Sequence, residues 1–211
     1  MQTMFKDRFE AGEQLAEALS AYKDDPDAIV LAIPRGALQI GKVLHERLGL
    51  PLDIIVTKKI PHPSSEEYAI GAVGPDGEFF VNEHADASPG YIEGERMRLE
   101  SLVEEKYRRY RGDRPKPALK GRTVIIVDDG IATGSTLIAA IHVVRKQKAG
   151  KIVVAVPVGA PDSVDKVARE ADVMICLMRP GFFFAIGQFY ENFVQVEDEE
   201  AIGILKACME D

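Results

Sequence analysis

Cysteine is nearly missing from this chain: two residues in 211, Cys176 and Cys208. A pair so far apart offers neither the close ligand spacing of a structural metal site nor the framework of a disulfide-stapled fold. Cys176 falls in the apolar run from Val173 to Met178 and is expected to be a buried core thiol. Positive charge is also short. Lys and Arg total 26 against 34 Asp and Glu, for a formal net charge of −8, a balance that disfavours non-specific contact with nucleic acid. No apolar run approaches the length of a membrane span. The charged segment Met1 to Glu10 has no apolar stretch of the kind a secretory signal needs. Internal repeats and low-complexity tracts are absent. The expectation is a cytoplasmic protein that engages neither nucleic acid nor membrane and whose partner is a small molecule or another protein. An acidic surface does not exclude an anionic ligand, because backbone amides and a few local cations can hold a phosphate.

What is present suits one globular domain over residues 1–211: 46% hydrophobic and 28% charged residues can bury a full core. Residues 9–22 carry Leu15, Leu19 and Tyr22 on one helical face. The runs 28–33, 52–57, 123–127, 151–158 and 172–177 are short and apolar, several of them rich in β-branched residues, the pattern of strands buried on both faces. Helices are expected at 37–48, 135–148, 162–170 and 197–209 between and after them. Residues 69–73 and 78–82 flank Gly74-Pro75-Asp76-Gly77 and read as a hairpin. A Glu- and Arg-rich helix at 91–111 follows, ended by the extended Arg114-Pro115-Lys116-Pro117. Strand and helix in alternation predict an open, mostly parallel sheet with helices on both faces. Ligands of such sheets sit at the carboxyl ends of strands, here the loops after Ile33, Thr57, Val127 and Leu177.

One of these loops stands out. Val124-Ile125-Ile126-Val127 leads into Asp128-Asp129, then Gly130, Thr133-Gly134-Ser135-Thr136 and an apolar helix. The glycines allow a sharp turn and close approach of backbone to ligand. Hydroxyls and amides at a helix N-terminus make an anion cradle. A carboxylate pair would repel a phosphate, so Asp128 and Asp129 should accept from neutral hydroxyls or reach a metal. Phosphate on one side and a diol on the other describe a ribose 5-phosphate. Thr-Gly-Ser-Thr alone would be an ordinary capped turn; the whole string is more specific. Neither the Gly-Lys-Thr/Ser ending of a nucleotide P-loop nor Gly-x-Gly-x-x-Gly is present here.

Residues 124–136 resemble the signature of type I phosphoribosyltransferases. The wider chain is similar to a bacterial branch of that family through Ala32-Ile33-Pro34-Arg35-Gly36, Lys58-Lys59, residues 67–73, residues 127–134 and Phe189-Tyr190. The resemblance implies a five-stranded, mostly parallel sheet flanked by helices, a small hood at about 178–192 and a helical and hairpin insertion at about 74–118. It implies transfer of a phosphoribosyl group from phosphoribosyl pyrophosphate to a nitrogenous acceptor, with Mg2+ as cofactor and a homodimer as a possible assembly.

Carried over by position, Gly130, Ile131, Ala132, Thr133, Gly134, Ser135 and Thr136 bind substrate, the last five around the 5-phosphate. Asp128 and Asp129 bind the ribose hydroxyls directly or through magnesium, and Pro34, Arg35 and Gly36 meet pyrophosphate. Lys58, in preference to Lys59, neutralises the leaving group, so the catalytic set is Asp128, Asp129, Arg35 and Lys58. Residues 60–68 correspond to a flexible loop that closes over the reaction, with His62 expected to be solvated and Glu66 and Glu67 on an exposed loop or helical turn. Arg179 to Tyr190 supply aromatics to the hood, while residues 85–118 are expected to be a surface or oligomer-forming helix apart from the chemistry. Ala132 stands where 6-oxopurine members carry an acidic residue, which counts against hypoxanthine or guanine as acceptor. Two other classes fit the same cradle: a non-catalytic sensor of phosphoribosyl pyrophosphate or a nucleotide, and a hydrolase or phosphorylase acting on a sugar phosphate.

Overall fold

Alternate residues of the central strands go to opposite layers, and this builds the molecule. In strand β1 (Ala28–Ala32), Ala28, Val30 and Ala32 join one buried cluster, Ile29 and Leu31 another. The structure, a computed structural model, describes residues 4–82 and 85–210, without the side chains of Glu66 and Glu67. The first residues of the segment read for a secretory signal, 1–3, therefore lie outside the described part, as do those two glutamate side chains.

Helix α1 (Arg8–Ala18) precedes β1 and α2 (Ala37–Leu48) follows it. Asp7 caps α1 by accepting from the Glu10 amide at 2.9 Å, and Gly49, at φ 66, ends α2 in the left-handed region that glycine tolerates. Strand β2 runs only from Leu52 to Ile54, shorter than expected. Lys58 and Lys59, expected at the end of that strand, lie beyond it. They open β3 (Lys58–His62), which pairs antiparallel with β4 (Ser65–Val73), and β4 pairs with β5 (Phe79–Val81).

This three-stranded sheet corrects two expectations: the flexible loop at 60–68 is strand except for the turn at Pro63-Ser64, and the backbone of Glu66 and Glu67 lies in β4. The reason is an apolar inner face. Ile60, Ile70 and Val73 are buried against Leu99 of the insertion helix. Pro61 is accommodated where the pairing register shifts on either side of it, so its missing amide breaks no regular ladder.

Helix α3 (Pro89–Arg111) starts with Ser88 as cap and Pro89 in its first turn, and ends on Arg108, Arg109 and Arg111. A buried two-pronged ion pair ties its end to the main sheet: Arg111 Nε and Nη2 donate to the Asp53 carboxylate, each at 2.7 Å. The chain continues through β6 (Thr123–Val127), α4 (Ser135–Lys146), β7 (Lys151–Val158), α5 (Pro161–Ala168), β8 (Val173–Met178) and α6 (Asp198–Glu210). The main sheet has five strands in the order β2-β1-β6-β7-β8, all parallel. Residues of α1, α2, α3 and α6 fill the cluster on one face, and residues of α4 and α5 that on the other.

Among the described residues no helix is long and apolar enough to cross a membrane. Cys176 is half-buried rather than fully buried; its thiol donates to the Met178 carbonyl at 3.1 Å, and burial pushes its pKa up to about 11.

Candidate active site

The strand order places a topological switch between β1 and β6, since the chain moves from β1 outward to β2 and returns on the other side. The loops leaving those two neighbours, Pro34 to Gly36 and Asp128 to Thr136, therefore lie side by side at the carboxyl edge of the sheet.

The loop after β6 is clamped from behind and open in front. The Ile131 amide donates to the Val158 carbonyl at 2.8 Å, and the Ala160 amide to the Ile131 carbonyl at 2.9 Å. Ser163 Oγ donates to the Ala132 carbonyl at 2.7 Å. Gly134 takes φ 78, and a Cβ there would stand 2.8 Å from the Val167 side chain. No side chain caps α4, and the Ser135 amide has only a long contact, 3.4 Å, to Thr133 Oγ1. Ala132, Thr133 and Thr136 are exposed. The first turn of α4 thus presents free donors to a ligand.

The carboxylate pair sits beside this turn in a less open setting. Asp128 Oδ1 accepts from the Asp129 amide at 2.9 Å. Asp129 Oδ2 accepts from Arg8 Nε at 2.9 Å, with the arginine side chain only 6% exposed. Arg8 is fixed in turn: Nη1 donates to the Val194 carbonyl at 2.9 Å, and the guanidinium lies 3.8 Å from the Phe193 ring centre. The Tyr190 hydroxyl donates to the Asp129 carbonyl at 2.7 Å. Burial holds both carboxyls above the usual range; for Asp128 the neighbouring Asp129 adds to the effect, and for Asp129 the Arg8 guanidinium opposes it. Burial likewise raises the Tyr190 phenol.

Gly36 is the residue that lets the loop after β1 come close. A Cβ there would lie 2.3 Å from Asp129 Oδ2 and 2.7 Å from Arg8 Nε. The Pro34–Arg35 peptide is cis. Arg35 reaches Glu197 at 3.7 Å and Asp198 at 3.9 Å, at the start of α6. A cleft of about 810 Å³ opens over this loop, and Arg8, Arg35, Lys106, Arg109 and Asp198 are among the residues that line it. Lys106 and Arg109 belong to α3, so the insertion helix, expected to stand apart from the chemistry, forms one wall of the cleft. Leu99, Val103, Tyr107 and Tyr110 form its buried face, and the Asp53–Arg111 anchor fixes its end.

Lys58 and Lys59 separate as neighbours on a strand must. Lys59 lines a different pocket of about 460 Å³, with Ser135 and His142. Lys58 is exposed and is felt by Lys106, whose ammonium is held below its usual range by burial first, then by Lys58, with Arg35 adding and Asp198 opposing. His62 is engaged in the β3–β4 turn, with Nδ1 2.7 Å from Ser64 Oγ and Nε2 2.6 Å from the Asp86 carbonyl. In the hood, Phe183 stacks on Phe189 at 5.3 Å, whereas Phe182 and Phe184 are 78% and 87% exposed.

Sequence reasoning missed Arg8, Lys106, Arg109 and Phe193. Local pattern carries no signal for them, since each comes from a segment remote from both loops.

As a cation site, Asp128 and Asp129 offer hard oxygen donors. Among the described residues no group of three or more His, Cys, Asp or Glu is placed to hold a metal ion. With Asp129 Oδ2 already accepting from Arg8, the pair suits a magnesium ion that takes most of its shell from water and substrate oxygens.

The chain is similar to several known proteins. The phosphoribosyl transferase domain family matches residues 2–193. A Mycobacterium tuberculosis protein that bears a provisional phosphoribosyl transferase name is 40% identical over 214 aligned positions, which take in 99% of this chain. The chain spans about half, 48%, of that relative's length. The crystal structure of the Thermus thermophilus protein TT1426 superposes with a TM-score of 0.89 at 38% identity, over 96% of this chain and 98% of that one. The purine phosphoribosyltransferase from Pyrococcus horikoshii shares the fold, at a TM-score of 0.51 and 23% identity over 93% of this chain and 99% of that one.

Proposed function

The chain belongs to the phosphoribosyl transferase domain family, and from that premise we propose that it moves the phosphoribosyl group of phosphoribosyl pyrophosphate to a nitrogenous acceptor and releases pyrophosphate. The observation that carries the reading is the uncapped first turn of α4 set directly beside the Asp128–Asp129 pair. An anion and a diol from one small molecule fit that arrangement, and few other ligands present both.

In this reading the amides and hydroxyls of residues 132–136 hold the 5-phosphate, and Asp128 and Asp129 orient the ribose hydroxyls. The C1–O bond to the diphosphate breaks with its electron pair leaving on oxygen, while the acceptor nitrogen bonds to C1. Arg35 and Lys58 neutralise the charge that grows on the leaving group. Magnesium, held by the carboxylate pair and substrate oxygens, supplies further neutralisation when bound. Ala132 presents only a methyl group at its exposed position, so it offers nothing to take a proton from a 6-oxopurine, which counts against hypoxanthine or guanine as acceptor. Two free cysteines suit a reducing cytoplasm.

Titration calorimetry with phosphoribosyl pyrophosphate and magnesium tests this, on the wild type and on Asp128→Asn and Asp129→Asn. Magnesium-dependent binding that both variants weaken by about tenfold or more is expected, the effect of losing one charged contact. Wild-type protein that does not bind the compound would sink the proposal. Tight binding with no pyrophosphate release across a broad panel of nitrogenous acceptors would favour a sensor instead.

A further inference from the structure

Resting on the phosphoribosyl reading above, we infer that α3 supplies a second cationic wall for the diphosphate group of the substrate, with Lys106 as the residue that reaches it and Arg109 beside it. Leu102, Lys106 and Arg109 all line the cleft over Pro34 to Gly36, and spacings of four and three residues put them on one helical face. Their height along the helix is fixed by the Asp53–Arg111 pair near its end. The wall is therefore held by the sheet that also carries the loop after β1.

The cations of the cleft are not equally engaged. Arg8, Arg35, Lys106 and Arg109 line it against Glu105 and Asp198. Arg8 is committed to Asp129. Arg35 and Arg109 share Asp198, at 3.9 and 2.9 Å, and lean on Glu197 and Glu199 at 3.7 and 3.6 Å. Lys106 has no such partner: among the described residues its ammonium makes no ion pair, and it lies 5.9 Å from the Tyr110 ring. It is half-buried and feels like charges on Lys58 and Arg35, offset in part by Asp198. Half-burying an unpaired ammonium beside other cations opposes folding in the empty protein. A polyanion entering the cleft reverses the sign of that interaction. In the proposed reading the diphosphate lies over the loop after β1, and Lys106 lines the cleft over that loop.

A binding lysine and a structural lysine make opposite demands on the empty protein. Lys106→Met keeps the apolar stem and removes the charge. Calorimetry with inorganic pyrophosphate plus magnesium, and separately with ribose 5-phosphate, reads the two halves of the site. A lost charged contact is expected to weaken pyrophosphate binding about ten- to a hundredfold while ribose 5-phosphate binding stays within about twofold, as for a contact on the other half of the site. Lys106→Arg should retain most of the pyrophosphate affinity. The melting temperature of unliganded Lys106→Met should equal or exceed that of the wild type. Arg109→Ala should show the same selectivity with a smaller loss, because Asp198 already competes for that guanidinium.

Unchanged pyrophosphate affinity in Lys106→Met, or an equal loss for both ligands together with a lower melting temperature, would overturn the inference and leave the proposed function standing. A wild type that binds neither ligand would instead overturn the proposed function itself.

Discussion

The two walls of the candidate site are built on different plans. One, from Asp128 to Thr136, is a single uninterrupted segment, held by backbone bonds to the end of β7 and the loop after it and by Ser163 of α5. The other draws Arg8 from α1, Arg35 and Gly36 from the loop after β1, and Lys106 and Arg109 from α3. A continuous wall keeps its geometry wherever its strand and helix form. An assembled wall keeps it only while several distant elements dock together, so a single side chain can disturb all of it. The difference predicts where substitutions cost most.

Gly36→Val should be the most damaging. The new Cβ would fall 2.3 Å from Asp129 Oδ2 and 2.7 Å from Arg8 Nε, so the ion pair that joins α1 to the loop after β6 must part. Breaking a buried pair costs about 3–5 kcal/mol. Denaturant unfolding should show a loss of that size, with phosphoribosyl pyrophosphate binding abolished. Gly134→Ala on the continuous wall makes the fitting contrast: it must adopt φ 78 and press on Val167, for which about 1–3 kcal/mol is the expected cost. Equal losses at the two glycines would erase the distinction between the walls.

Arg8→Ala comes next. It strands Asp129 with its carboxylate 16% exposed, and about 3 kcal/mol of stability should go, the lower end because some water reaches the group. The double variant Gly36→Val/Arg8→Ala should cost little more than Gly36→Val alone, because both act on one pair. Additive losses would mean that Gly36 is required for some other reason.

Ser163→Ala probes the continuous wall from behind. Removing one hydrogen bond to the Ala132 carbonyl should cost about 1 kcal/mol, with 5-phosphate affinity reduced and pyrophosphate affinity untouched.

The same contrast explains how much of the molecule is legible in its sequence. The β-branched run 124–127, the paired aspartates and the glycine-bounded turn announce a strand, a cradle and a helix within residues 124–136, because each signal is local. The five parallel strands are legible for a similar reason: runs buried on both faces are continuously apolar. Arg8 is not, since nothing near it in sequence distinguishes it from a solvated arginine; its role arises from Phe193, Val194 and Asp129 meeting it. Residues 60–68 read as a loop because Pro61, Pro63 and two serines obscure Ile60, whose burial needs Leu99 of α3 to be apparent. The inner face of α3 is legible as the stripe Leu99, Val103, Tyr107 and Tyr110, whereas nothing local marks Lys106 and Arg109 beside it as lining a cleft.

The smallest predicted effect tests the counter-ions of the assembled wall. The Asp198 carboxyl is held below the usual range first by the Tyr110 hydroxyl, which donates to it at 2.5 Å, and then by Arg109, Arg35 and Lys106, against a contribution from burial. A depressed carboxyl pKa means that the folded protein favours the ionised form. Its contribution is present above the unfolded carboxylate value, about 3.9, and is lost as pH falls through the lower folded value. Asp198→Asn should therefore be slightly less stable than wild type at neutral pH, and the gap should close below about pH 4. Water reaches the carboxylate, whose side chain is 23% exposed, so added salt should narrow the gap too. Tyr110→Phe should raise the Asp198 pKa toward its ordinary value and shift the closing of that gap to higher pH. A gap that is constant with pH and salt would show that Asp198 serves α6 as a neutral cap rather than the arginines as a counter-ion. Arg35 and Arg109 would then be free to meet an incoming diphosphate without first releasing a carboxylate.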